Sequence, residues 1–154
     1  MIESRDNKWL EEKMFELWEN NFNDVPRINL VVIKFGKGAK RQLGCIRMAN
    51  HKTRGIGKKL KELGTQDSKT TSVITITKHF ALAEIPEFVV IGTIAHEMCH
   101  YAHGFNSPLQ QIYNHPHKGG VIRKEMEKRG LGEIYKESNK WLKKNWLRIL
   151  KENS

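Results

Sequence analysis

The stretch His96-Glu97-Met98-Cys99-His100 decides how this chain is put together. At about 100° per residue, an α-helix sets His96 and His100 roughly 40° apart, one turn from each other on one face. Two imidazoles so placed can ligate a single Zn²⁺, and Glu97 between them can reach a water on that ion. Ile91, Ile94, Ala95, Met98 and Ala102 fall on the opposite side by the same count. One face is thus suited to a core and the other to a metal. The plain alternative is a solvated helix face that carries His, Glu and His by accident, a pattern expected in well under about 1 in 100 chains of this size.

Working outward, Pro86-Glu87 opens this helix, because proline suits the first turn and a carboxylate suits the positive helix end. Gly104 is its stop. Ser107-Pro108 predicts a short helical piece through Tyr113, and Asn114 to Gly120 a loop holding His115 and His117. A helix over Val121 to Arg129 then ends at Gly130. Glu133 to Lys151 sets Trp141, Leu142, Trp146, Leu147 and Leu150 among many lysines, the pattern of a basic amphipathic terminal helix. On the upstream side, Arg5 to Phe22 repeats Trp9, Leu10, Met14, Phe15, Leu17, Trp18 and Phe22 at helical spacing, an aromatic stripe expected in the core.

Three strands are expected between these helices. Ile28 to Phe35 is rich in β-branched residues and bounded by Pro26 and Gly36. Arg41 to Ala49 is expected to pair antiparallel with it through the turn Gly36 to Lys40, with Gly44 as a bulge. Ser72 to Phe80 alternates and makes the third strand. The predicted fold class is therefore α+β: an N-terminal helix, a small three-stranded mainly antiparallel sheet, the H-E-x-x-H helix, a backing helix and a C-terminal amphipathic helix.

The 154 residues suffice for one domain with one core, over 1–154, with an extension at 133–154. A formal net charge of +10 favours anionic partners. Residues 51–70 carry six Lys or Arg against two Asp or Glu, a local charge of +4 (6 − 2). This segment reads as a solvated basic insertion or, more sharply, as an arm for nucleic acid, although it has no aromatic platform for single strands. The helix at 136–151 is a second basic surface of that kind. Cys45 and Cys99 form no disulfide framework, and Cys99, about 100° round the helix from His100, is read as packing. With no apolar leader and no membrane span, a cytoplasmic protein is expected.

A catalytic zinc takes three protein ligands and keeps a position for water. His117 is the choice for the third, since a Gly-bearing loop ahead of a helix can fold back under the metal; His115, in the same loop, is the alternative. His103 is one turn past His100 yet about 10 Å along the axis from His96, which points to a supporting or surface role. His51 and His79 read as ordinary surface or core residues.

The order of elements resembles the SprT-like family of zinc metallopeptidases, small H-E-x-x-H zincins of Spartan or minigluzincin type. The resemblance is carried by Leu43-Gly44-Cys45-Ile46, Val73-Ile74-Thr75-Ile76, Pro86 to His100, His117-Lys118-Gly119-Gly120 and Glu125 to Leu131. It implies that His96, His100 and His117 bind zinc and that Glu97 is the general base of a peptide hydrolase. Lys118 stands where the family often has glycine directly after the histidine, and Val121 where it often has an aromatic. Some SprT-like proteins act on proteins crosslinked to DNA. Tyr101, Tyr113 and Lys118 are candidate oxyanion donors, and the peptide substrate is expected along an exposed sheet edge at 72–80. Two other readings stand beside this one. The first is a non-catalytic nucleic-acid-binding protein with a structural zinc, closed by a fourth ligand such as His115 or Cys99. The second is a peptidase held latent by its own helix at 133–154.

Overall fold

The computed structural model describes residues 5–49 and 71–154. The basic arm at 51–70, with His51, lies outside the described residues. The chain forms helix α1 (Asn7–Asn21), strands β1 (Leu30–Phe35), β2 (Gly44–Met48) and β3 (Thr71–Ile76), helix α2 (Glu87–Ala102), helix α3 (Val121–Lys128) and helix α4 (Gly132–Glu152). This is an α+β arrangement in which helices pack on a small mixed sheet.

The strand order is β1-β3-β2, with β1 parallel and β2 antiparallel to β3. The hairpin expected between the first two strands does not form, because β3 lies between them. The physical reason is in the burial: five of the six residues of Thr71–Ile76 are buried, as a strand covered on both faces requires. The Val/Thr alternation within this run imitates a strand with one wet face. Arg47 of β2 is exposed, and a charge on an outer strand blunts it against other chains. The outer strands are therefore β1 and β2, not the 72–80 segment. That segment ends as a strand at Ile76 and continues as a 3₁₀ turn over Lys78–Ala81, which buries Phe80.

Each helix terminus has a local cause. Asp6 caps α1 by accepting from the Trp9 N–H at 2.9 Å. Pro86 caps α2, Glu87 opens it, and Gly104 ends it at φ 83°, a left-handed conformation that glycine adopts without penalty. The helical piece expected at 107–113 is absent. The Ser107 hydroxyl instead donates to the Tyr101 carbonyl at 2.8 Å and closes the end of α2. Gly130, at φ 77°, separates α3 from α4.

One core joins α1, the inner face of the sheet, α2 and α4, with Leu10, Met14, Ile33, Ile74, Ile76, Ile94, Met98 and Ile149 at 0–1 % exposure. Of the aromatic stripe of α1, Trp18 and Phe22 are buried, Trp9 is half-buried, and Phe15 stays 48 % exposed beneath the Arg27 guanidinium. The Arg5 guanidinium donates to the carbonyls of Phe80, Leu82 and Ile85 at 3.0, 2.9 and 2.6 Å, fixing the turn from which α2 departs. Among the described residues no helix is long and apolar enough to cross a membrane.

Candidate metal centre

On α2 the apolar side buries Ile94, Ala95 and Met98, so the turn carrying His96 and His100 is held at the rim of the core. Two successive left-handed glycines, Gly119 at φ 76° and Gly120 at φ 68°, fold the following loop back towards it. The result brings His117 Nε2 to 3.4 Å from His96 Nε2 and 3.0 Å from His100 Nε2. Ligand atoms of the three side chains all lie within 4.8 Å of one another. Tetrahedral zinc at about 2.0–2.1 Å from each nitrogen would set neighbouring nitrogens roughly 3.3 Å apart, so the triad fits such an ion.

The protonation states favour the same use. Burial, helped by the neighbouring His117, lowers His96 to about 4. Burial and the other nearby histidines lower His100 to about 3. Both rings are neutral at pH 7, the form that ligation requires. His100 Nδ1 is buried without a partner among the described residues, and it is the nitrogen left for the ring proton when Nε2 turns a lone pair to the centre.

Of the other histidines, His115 is exposed and outside the triad, so the alternative third ligand is not brought in. His103 is 1 % exposed, and its Nε2 meets Glu125 Oε1 at 2.9 Å. Glu125 Oε2 in turn meets Arg129 Nε at 2.7 Å, and Arg129 reaches Asp24 at 2.6 Å and the Asn21 carbonyl at 2.9 Å. This chain of polar contacts fastens α3, and with it the end of the His117 loop, to α2 and α1. His79 Nε2 meets the Gly38 carbonyl at 3.2 Å. Cys99 is fully buried, and burial pushes its thiol up, as packing rather than ligation demands.

The triad lies in a cleft of about 470 Å³. Its floor is Gly92, Thr93, His96 and Glu97 of α2, one wall is the chain from Arg41 to Ile46, and the other is α4. Tyr135, Ser138, Asn139 and Leu142 form that second wall at i, i+3, i+4 and i+7, a face of the helix expected to pack, to offer a basic surface or to cover the cleft. Because α4 is a wall and also buries Ile149 in the core, deleting 133–154 would open the core as well as the cleft. Glu97 is 5 % exposed, and burial raises its carboxyl to about 8.

Gly44 passes close over this carboxylate. A Cβ there would stand 2.9 Å from Thr93 Cγ2 and 3.1 Å from Glu97 Oε2. The register runs unbroken from Gly44 opposite Ile76 to Met48 opposite Ser72, so the glycine serves close approach and not a bulge.

Of the three oxyanion candidates, Tyr101 is buried and donates to Asn29 Oδ1 at 2.6 Å, which removes it from the cleft. Tyr113 stands edge-on to His103, and neither it nor Lys118 lines the cleft. Sequence reading missed Tyr135 because it sits beyond the span of the motif, in a helix whose periodicity signals packing first. Comparison of this chain with protein-family models, with curated proteins and with solved structures finds no match.

Proposed function

We propose that this protein is a zinc-dependent endopeptidase of the SprT-like kind, with His96, His100 and His117 as the metal ligands. The observation that carries the reading is the convergence of three imidazoles beside a buried acidic side chain in an open cleft. Zinc held there would supply Lewis acidity and a water acidic enough to be deprotonated near neutrality. Glu97 accepts the proton of the attacking water and returns it to the leaving amine. In the metal-free chain its burial holds the carboxyl protonated up to about pH 8, and the charge of a bound zinc would draw that value back down and free the base.

The peptide lies along the free edge of β2, which forms the cleft wall nearest Glu97. The bonds from Thr77 N–H to the Leu43 carbonyl and from Ala49 N–H to the Thr71 carbonyl turn the odd-numbered residues of β2 towards β3. Gly44, Ile46 and Met48 therefore direct their backbone groups to the open side. Glu97→Gln is expected to retain about one zinc per chain while peptide hydrolysis falls by about 10²–10⁴-fold. Casein digestion by the zinc-loaded protein, alongside metal analysis, tests this, and normal cleavage by the variant would remove Glu97 from the mechanism.

A second reading has its own observation. Lys136, Lys140, Lys143, Lys144 and Arg148 are exposed along α4, a row of cations suited to phosphates. Nucleic-acid binding through this face is compatible with hydrolysis of DNA-associated proteins; a structural zinc would need a fourth ligand, and neither His115 nor Cys99 joins the triad among the described residues.

A further inference from the structure

The open edge that runs from Arg41 into β2 is short, and a side chain limits it on each side, at Ile46 and at Lys40. At one end, Asn106 Nδ2 donates to the Ile46 carbonyl at 2.8 Å. That carbonyl belongs to an outward-facing residue, so the amide occupies a position that a pairing strand would need. Asn106 is held there firmly. It adopts φ 52°, and its own carbonyl accepts from Ser72 Oγ of the central strand at 2.8 Å. At the other end, the Trp146 indole N–H of α4 donates to the Lys40 carbonyl at 2.8 Å. This bond ties the two walls of the cleft together just ahead of β2. The Trp146 ring is itself wedged edge-on against Phe80 and His79, so the tie has support behind it.

Between these two caps lies the run Arg41 to Cys45, five residues that all line the cleft. Gly44, opposite Glu97, is inside it. We propose that Asn106 and Trp146 delimit a pairing window on the edge formed by 41–43 and the start of β2, so that the enzyme reads a short extended segment of peptide around the cut. The inference rests on the peptidase reading and adds the substrate class: unstructured oligopeptides and exposed chain ends or loops that can supply about five residues in extended form, roughly 17 Å at ~3.3 Å per residue. A longer segment meets the carbonyls of Ile46 and Lys40 already taken.

The test is a nested series of synthetic peptides, lengthened one residue at a time on either side of one scissile bond and cleaved by the full zinc-loaded chain. For the unaltered protein, kcat/KM is expected to rise with length and then level off once the window is filled. Asn106→Gly removes the amide and tolerates the positive φ. It frees the Ile46 carbonyl, so the plateau should move outward by about two residues on one side of the bond, with a gain of about 2- to 10-fold for the longer peptides. Asn106→Asp, which loses the donor and keeps the side-chain volume, should shift the plateau the same way and serves if the glycine variant does not fold. Trp146→Phe keeps the aromatic packing, removes the indole N–H, and should lengthen the plateau on the opposite side. Plateaus unchanged in these variants, with metal content intact, would overturn the window while leaving the peptidase standing. Failure of the unaltered, zinc-loaded protein to cut a peptide of any length would overturn the peptidase reading itself.

Discussion

At Glu97, burial raises the folded-state carboxyl from 4.5 to about 8. Between those values the folded chain keeps a proton that the unfolded chain has released, so metal-free stability falls as pH rises through that interval. Glu97→Gln is accordingly expected to stabilise the metal-free protein by at least ~1 kcal/mol above pH 8 and to be neutral below pH 4.5, as read from urea melts at the two extremes. His96 and His100 act on the acid side. Their lowered values mean that the unfolded chain takes up protons below 6.5 which the folded chain refuses down to about 4 and 3. Stability of the metal-free protein should therefore drop as pH falls through that window, and His96→Asn should flatten the drop. The two motif histidines and Glu97 were legible in the sequence because a single helix fixes their spacing. The choice of His117 over His115 depends on where two left-handed glycines point a loop, which spacing alone leaves between two neighbours.

At the scale of elements, α4 meets α2 at a crossing without slack. A Cβ on Gly92 would come 2.6 Å from Ser138 Oγ and 3.3 Å from Ile134 Cγ2, while the Ser138 hydroxyl donates to the Phe88 carbonyl at 3.0 Å. Gly92→Ala is expected to destabilise the fold by about 1–3 kcal/mol and to displace the wall that carries Tyr135. Gly92→Ala with Ser138→Gly should recover part of that loss, and a thermal-melt double-mutant cycle measures the coupling. The long helices were readable from periodicity, and Pro86, Gly104 and Gly130 marked their ends because they act on their own neighbours. The pairing of strands was not. A run such as Ser72-Val73-Ile74-Thr75-Ile76 can sit in the middle of a sheet or at its side with the same residues, and only the tertiary contacts choose.

For the whole molecule, a net charge of +10 bears on partners more than on fold. If the exposed cations of α4 hold nucleic acid, duplex affinity should fall steeply with salt, with a slope of log K on log [salt] of about −0.9 per phosphate neutralised. Replacing Lys136, Lys140 and Lys143 by Gln should reduce that slope and leave peptide cleavage of uncharged substrates intact. A fluorescence-anisotropy titration at several salt concentrations decides it, and a flat dependence would dismiss nucleic acid as a partner. The central place of β3 has a consequence for the order in which the protein comes into being. Both of its neighbours precede it in the chain, and they do not bond to each other. A nascent polypeptide therefore leaves the ribosome with two complete strands that stay orphaned until Thr71–Ile76 emerges to join them. Prematurely ended translation products should be chaperone clients, and Ile74→Val should slow refolding nearly in proportion to the stability it removes.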